Sequence, residues 1–191
     1  MEQNVALELY RRTGAYLEGH FRLSSGLHSS GYMQSALVLQ HPADAASLGA
    51  GIAAHVKSFR PTVVLSPALG GLIIGHEVAR ALGLRAIFAE RAGGTALSLR
   101  RGFALAPGDR VLVVEDVFTT GKSTRETMEV AREAGADVVG AAAIVDRSGG
   151  TIDFGVPSYA LVSLSVPTYE PETCPLCAKG VPVIKPGSRP I

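Results

Sequence analysis

Short apolar runs alternate with helical segments through the middle of the chain, and this alternation restricts the fold more than any other feature. The runs are rich in β-branched residues and read TVVLS (62–66), RAIFAE (85–90), VLVVE (111–115) and DVVGAAAIVD (137–146). Between them lie LIIGHEVARALG and STRETMEVAREAGA, in which apolar residues recur at helical spacing. Strands that are apolar throughout need both faces covered, so the pattern predicts an α/β fold with a central parallel sheet flanked by helices.

The two ends of the chain lack this alternation. Residues 5–10 fit a short amphipathic helix, and two strands are predicted around residues 16–23 and 32–37, with the turn sequence SSGLHSSG between them. A further helix is predicted over residues 42–59, because proline favours the first helical position and the apolar residues after it recur at helical spacing. The tail from Pro167 is rich in proline and glycine, which predicts an irregular covering segment.

The composition argues against several classes of partner. Lys and Arg number 18 and Asp and Glu number 17, so the formal net charge of +1 predicts neither nucleic acid nor a membrane surface as a partner. No apolar run is long enough to span a bilayer, and the N-terminus lacks the apolar core of a secretion signal. Two cysteines cannot form the disulfide framework of a secreted protein, so we expect a cytoplasmic location.

The cysteines themselves, Cys174 and Cys177, form a single C-x-x-C pair. Zinc usually takes four ligands, so this pair favours free thiols, with a metal shared by two chains as the alternative. The five histidines show no ligand spacing that would complete such a site; they are His20, His28, His41, His55 and His76.

The sequence VLVVEDVFTTGKST (111–124) carries the clearest functional signal. Its apolar run leads into two acids, Glu115 and Asp116, and then into a loop rich in Thr and Gly that precedes a helix. Ser123 and Glu126 match the capping-box pattern, which predicts that the helix begins at Ser123. Loop amides and a helix N-terminus bind phosphate, while carboxylates bind hydroxyls or a metal-bound ligand. Adjacent buried carboxylates repel each other, so the pattern indicates a sugar-phosphate site rather than an ordinary turn.

Two other phosphate-binding motifs do not fit. The sequence Gly121-Lys122-Ser123 resembles the end of a Walker A loop, but that motif requires glycine at position 116, where this chain has aspartate. A carboxylate there would repel the β-phosphate. No GxGxxG follows any predicted strand, which argues against a dinucleotide site. Other segments at the carboxyl ends of the strands are 68–71, 90–91 and 146–147, and in parallel sheets this edge binds ligands.

These residues resemble a known family. VVEDVFTTGKS resembles the phosphoribosyl-diphosphate (PRPP) signature of the type I phosphoribosyltransferases. Five further segments resemble the orotate phosphoribosyltransferase family: Leu23–Gly26, Ser29–Met33, Pro67–Gly71, Asp146-Arg147 and the tail CPLCAKGVPVIKPGSR. The resemblance implies transfer of the 5-phosphoribosyl group from PRPP to orotate, giving orotidine 5′-monophosphate and pyrophosphate in pyrimidine (UMP) biosynthesis.

The resemblance also implies a type I phosphoribosyltransferase fold in a single domain, residues 1–191. A small N-terminal hood subdomain is formed mainly by residues 1–40 and the C-terminal segment. Mg²⁺ is implied as the cofactor, bound mainly through PRPP with Asp116 as a candidate ligand. A homodimer with sites shared across its interface is implied as the assembly.

Individual roles follow from the same resemblance. Catalytic contributions are implied for Asp116, Glu115 and Arg91. PRPP binding is implied for Glu115, Asp116, Val117, Phe118, Thr119, Thr120, Gly121, Lys122 and Ser123, where the two acids hold the ribose hydroxyls and residues 119–123 hold the 5′-phosphate. The pyrophosphate loop consists of Ala68, Leu69, Gly70 and Gly71. Orotate binding is implied for Thr119, Arg147, Tyr32 and Met33.

The chain departs from this family's pattern in two places. Ser24 occupies the position of a hood lysine, so one charged contact to orotate is missing or comes from elsewhere. The segment 90–102, which corresponds to a mobile loop, has no lysine or histidine, and its cations are Arg91, Arg100 and Arg101. Two alternatives stay open within the same fold, a purine phosphoribosyltransferase and a PRPP-sensing regulatory protein.

Overall fold

The computed structural model describes residues 1–23, 26–91, 93 and 96–185. Its helices are α1 (Gln3–Arg12), α2 (Ser35–Leu39), α3 (Pro42–Val56), α4 (Gly71–Leu82), α5 (Lys122–Glu133) and α6 (Pro175–Ala178). Its strands are β1 (Tyr16–Arg22), β2 (His28–Met33), β3 (Val63–Pro67), β4 (Arg85–Arg91), β5 (Leu97–Leu99), β6 (Arg110–Phe118), β7 (Asp137–Asp146), β8 (Ser158–Ser163) and β9 (Thr168–Tyr169).

The main sheet has the strand order β5-β4-β3-β6-β7-β8, and among its described strands only the β4–β5 pair is antiparallel. The predicted parallel sheet is therefore confirmed, with all four predicted strands in it. Two edge strands were missed in the sequence. β8 has an apolar run of only four residues (159–162), and no helix separates it from β7, so it falls outside the strand–helix alternation; β5 is a three-residue strand within a polar segment.

Two apolar cores cover the two faces of this sheet, because successive side chains of a strand point to opposite faces. Leu112 and Val114 of β6 pack into the core beneath α3 and α4, whereas Val111 and Val113 pack into the core with Met128 of α5. All five side chains are at most 1% exposed. Burial of each larger side chain contributes about 1.5–3 kcal/mol, which explains why β6 forms the centre of the fold.

A second sheet, β1-β2-β9, lies apart from the first and is antiparallel throughout. The tail extends it, because Arg22 N–H donates to Ile184 O and Ile184 N–H donates to His20 O, both at 2.8 Å. We call this sheet together with residues 170–185 the hood. Leu37 was predicted to lie in a strand but belongs to α2, where its neighbours Val38 and Leu39 enter the core.

In the part of the chain that the structure describes, every helix is too short or too polar to cross a bilayer.

Candidate functional site

A cleft with a volume of about 1140 Å³ lies between the hood and the carboxyl edge of the main sheet. The chain leaves β3 toward one side of the sheet and β6 toward the other, so the loops after these two strands face each other, as at ligand sites of open α/β sheets. The predicted site residues that line the cleft are Tyr32, Met33, Ala68, Gly70, Glu115, Asp116, Val117, Thr119, Thr120, Lys122, Ser123 and Arg147.

The two adjacent acids of β6 have different surroundings. Glu115 is 5% exposed, and one of its carboxylate oxygens accepts a hydrogen bond from Ser123 Oγ of α5 at 2.8 Å. Burial raises the pKa of Glu115 well above its usual value, and the negative charge of Asp116 raises it further. The fold therefore places two mutually repelling carboxyl groups beside the cleft. A ligand with hydroxyl groups would stabilise them by donating hydrogen bonds.

We expect the Glu115→Gln variant to be more stable than the wild type at alkaline pH. A folded-state pKa above the unfolded value means that stability falls as pH rises through the interval between the two values. At about pH 4, below the usual pKa of glutamate, the two proteins should melt together, and at about pH 9 the variant should melt about 2–4 °C higher or more, where 2–4 °C corresponds to about 1 kcal/mol.

Thermal melts of both proteins across this pH range would measure the difference. Glutamine keeps an acceptor for Ser123 and removes the charge that faces Asp116. A difference that does not depend on pH would show that packing, rather than ionisation, separates the two proteins.

Asp116 lies against the loop that follows β3. A Cβ atom added to Gly70 would come within 2.7 Å of Asp116 Oδ1, so only glycine lets this loop approach the carboxylate so closely. The peptide bond between Ala68 and Leu69 in the loop is cis. The predicted pyrophosphate loop and the predicted ribose ligand therefore share one wall of the cleft.

The loop after β6 leads directly into α5. Gly121 precedes the first helical residue with φ +74°, a left-handed conformation that glycine adopts without strain. Thr119, Thr120, Lys122 and Ser123 line the cleft, so the free N–H groups of the first helical turn lie at its edge. This is the arrangement of a phosphate site at a helix N-terminus.

The predicted capping box is wrong. The helix begins at Lys122, and Gly121, which has no side chain, occupies the N-cap position. The Ser123 hydroxyl donates to Glu115, and the Glu126 carboxylate forms an ion pair with Arg91. Both side chains of the pattern thus bind side chains of β6 and β4 rather than the backbone amides of the first turn, and the pair between Glu126 and Arg91 joins opposite charges.

Arg147 follows β7 and extends toward the hood. One guanidinium nitrogen, Nη2, lies 3.3 Å from both Ser29 Oγ and Gly31 O on β2. Its buried Nε has no hydrogen-bond partner among the described residues, and burial lowers the pKa of the guanidinium below its usual value. A half-buried cation that lines the cleft and has no carboxylate partner in the described part of the chain is suited to an anionic ligand.

Two further cations of the cleft were missed in the sequence. Arg22 lies at the end of β1, and Lys185 comes from the tail, where the backbone bonds of Ile184 hold the chain beside β1. The cations among the described lining residues are Arg22, Lys122, Arg147 and Lys185, against two acids, Glu115 and Asp116. Ser24, where a hood lysine was expected, lies outside the described residues, and Lys185 brings a positive charge to the hood side.

Several predicted site residues do not line the cleft. Phe118 and Gly71 are buried, and Leu69 is 81% exposed. Gly121 is also buried, and its backbone forms the turn before α5. Arg91 is exposed on β4 and pairs with Glu126.

The other arginines of the 90–102 segment differ from Arg91. Arg101 pairs with both carboxylate oxygens of Glu90, as expected for the solvated face of a hairpin. Ala92, Gly94 and Thr95 of this segment lie outside the described residues.

The sheet order, the acidic strand and the phosphate-type loop together define a phosphoribosyltransferase domain, and residues 36–154 match the family model described as a phosphoribosyl transferase domain. Comparison with curated relatives identifies the family within this class of phosphoribosyltransferases. The chain is 52% identical over 191 residues to orotate phosphoribosyltransferase of Pelotomaculum thermopropionicum, with 100% of both chains covered. It is 51% identical to the enzyme of the same name from Heliobacterium modesticaldum, with 99% of this chain and 100% of the relative covered. The chain therefore belongs to the orotate phosphoribosyltransferase family of pentosyltransferases.

Solved structures agree with this assignment. Orotate phosphoribosyltransferase from Aeropyrum pernix superposes with a TM-score of 0.70 at 29% identity, covering 84% of this chain and 93% of that chain. The Mycobacterium tuberculosis enzyme in complex with PRPP superposes with a TM-score of 0.65 at 25% identity, covering 85% and 96%. The predicted type I phosphoribosyltransferase fold is confirmed.

Proposed function

We propose that the cleft binds PRPP and orotate side by side and transfers the 5-phosphoribosyl group to orotate N1. The products are orotidine 5′-monophosphate and pyrophosphate, so the enzyme acts in UMP synthesis. The observation that carries the proposal is the position of Arg147, whose cationic side chain lines the same cleft as the phosphate-type loop after β6. An arginine fork matches the orotate carboxylate, and a neutral purine base would leave it unpaired.

In this proposal different walls of the cleft bind different parts of PRPP, the phosphoribosyl donor. Glu115 and Asp116 accept hydrogen bonds from the ribose hydroxyls, and residues 119–123 bind the 5′-phosphate through amides and hydroxyls. The loop 68–71 binds the pyrophosphate on the opposite side of Asp116. In this arrangement the ribose hydroxyls face carboxylates that accept their hydrogen bonds, and the 5′-phosphate faces amides and hydroxyls that donate to it.

The reaction requires no protein nucleophile. The bond between C1′ and the pyrophosphate oxygen breaks, and the electron pair leaves with pyrophosphate. The ribose gains positive character, which the neighbouring carboxylates stabilise. Orotate N1 loses its proton to solvent and forms the new bond from the opposite face with inversion. Fixed charges that match those developing in the transition state account for catalysis of this kind.

Mg²⁺ fits the donor set of this cleft. Its preferred ligands are oxygens, and the only acids among the described lining residues are Glu115 and Asp116. Two carboxylates leave most of the coordination shell to the ligand, so we propose that the ion binds mainly through PRPP, with Asp116 beside it. When bound, Mg²⁺ neutralises charge on the departing pyrophosphate.

We also propose a cytoplasmic homodimer that consists of single-domain chains. Arg91 does not reach the cleft of its own chain, and Arg100 lies on the same exposed segment. A role for Arg91 at the pyrophosphate of a partner's cleft is consistent with the family resemblance. The exposed apolar side chains Leu69 and Ile73, beside the start of α4, offer a surface for such an interface.

An assay with purified protein, Mg²⁺ and PRPP tests the reaction. Orotate should be consumed, visible as a loss of its ultraviolet absorbance, with one pyrophosphate released per orotate. Hypoxanthine and adenine in place of orotate should give no turnover. Turnover with a purine and none with orotate would overturn the proposal in favour of a purine enzyme of the same fold.

A further inference from the structure

We propose that His20, His28, Cys174 and Cys177 form a structural zinc site that fastens the tail to the hood. The sequence showed no ligand spacing for the histidines, yet the structure brings these four side chains together. Their candidate ligand atoms all lie within 4.8 Å of one another. Within residues 1–23, 26–91, 93 and 96–185, they form the only group of three or more His, Cys, Asp or Glu ligand atoms gathered in this way.

Three sulfur–nitrogen distances match those of a tetrahedral site. Cys174 Sγ lies 3.5 Å from His20 Nε2, and Cys177 Sγ lies 3.8 Å from His20 Nε2 and 3.3 Å from His28 Nδ1. Zinc bonds of about 2.0–2.1 Å to nitrogen and about 2.3 Å to sulfur place tetrahedral N and S ligands about 3.6 Å apart. The two ring nitrogens, 2.9 Å apart, need to separate by only a few tenths of an ångström.

The surroundings orient the ligands. His20 Nδ1 lies 2.7 Å from Val181 O, so a proton on Nδ1 donates to that carbonyl and leaves the Nε2 lone pair facing the cysteines. Zinc-binding histidines typically donate their second ring N–H in this way. His20, His28 and Cys174 are at most 7% exposed, whereas Cys177 is exposed, so three ligands are buried and the fourth closes the site on the solvent side.

The cysteine segment has the backbone of a tight turn. Ala178 N–H donates to Cys174 O at 3.1 Å, and Gly180 N–H donates to Cys177 O at 2.9 Å around the short helix α6. C-x-x-C turns of this spacing supply two ligands of structural zinc sites. Four protein ligands leave no open position, so the site is structural rather than catalytic.

The metal would connect the tail to the cleft. Its ligands lie on β1, on β2 and in the tail, and the tail continues through Ile184, which bonds to β1, to Lys185 in the cleft lining. Loss of the metal should therefore release Lys185 as well as the hood. This functional consequence rests on the proposed reaction, whereas the metal site does not.

Metal analysis tests the site directly. Protein purified without chelator should contain about one zinc per chain, and cobalt exchanged for it should show the strong visible bands of tetrahedral thiolate coordination. The Cys177→Ser variant should retain less than about a tenth of that zinc, and His76→Gln, an exposed histidine on α4, should retain all of it. In the wild type, zinc should also protect both thiols from alkylation.

The metal site would be overturned if wild-type protein held no zinc, gave no cobalt bands and had cysteines that were freely alkylated or linked by a disulfide. The histidines would then only hydrogen-bond to each other.

Zinc removal followed by assay in excess Mg²⁺ tests the positioning role. It should raise the orotate KM by about 10-fold and expose the tail to protease. Zinc bound at one per chain with an unchanged KM after removal would refute the positioning role and leave the metal site standing.

Discussion

Replacement of Asp116 by asparagine should lower kcat by about 10²–10³ and leave the fold intact. The two side chains are isosteric, so the change removes a charge and little else. In the proposed reaction that charge faces a ribose that becomes positive, and loss of one preorganised electrostatic partner costs about 2.7–4 kcal/mol. Steady-state kinetics with both substrates near saturation would measure kcat, and a thermal melt would report on the fold.

Asp137→Asn provides a matched control. Asp137 begins β7 at the opposite edge of the sheet and is exposed, so this variant should keep wild-type kinetics. Removal of Asp116 should also relieve the repulsion that raises the pKa of Glu115, so the melting temperature should stay the same or rise. If the melting temperature instead fell by several degrees together with kcat, Asp116 would have a structural role.

Replacement of Arg147 by alanine should raise the orotate KM by about 100-fold and change the PRPP KM by less than about 3-fold. Each hydrogen bond to a charged group contributes about 1.5–3 kcal/mol, and a guanidinium–carboxylate pair makes two of them. The loss therefore falls on the substrate that carries the carboxylate. Initial rates measured over a grid of both substrate concentrations would separate the two KM values.

Two further variants complete the test: one separates the charge of Arg147 from its shape, and the other is a control at an exposed arginine. Arg147→Lys keeps the charge without the fork and should fall between wild type and Arg147→Ala. Arg132→Ala removes an exposed arginine of α5 that pairs only with Glu129 among the described residues, and it should leave both KM values unchanged. Equal rises in both KM values for Arg147→Ala would show that Arg147 does not discriminate orotate.

Local sequence was sufficient for the elements that form the centre of the sheet. The runs around Val63, Ile87, Val113 and Ala142 are apolar at every position, and only a strand covered on both faces buries such a run. The loop after β6 was also recognisable, because its acids, hydroxyls and glycine are consecutive. Site residues that lie together in one segment can therefore be identified from the sequence before any tertiary contact is known.

Interactions between segments that are distant in the chain could not be predicted from local sequence. Ser123 and Glu126 had the spacing of a cap, but Glu115 and Arg91 bind them instead. Arg91 was predicted to be a site residue, and its partner on α5 could not be predicted from the sequence. Side-chain partners that are distant in the chain replace the local hydrogen bonds of a capping box, and the spacing of residues in the sequence does not reveal such partners.

The class of fold and the position of the sugar-phosphate loop could be inferred from local sequence, because periodicity and turn chemistry depend on neighbouring residues. Long-range packing, in contrast, sets which cations face the cleft and which side chains surround Cys174. The histidines and cysteines of the proposed zinc site are about 150 residues apart, and Lys185 reaches the cleft only because the tail pairs with β1. Such contacts arise from the packing of hood and tail, which no local pattern encodes.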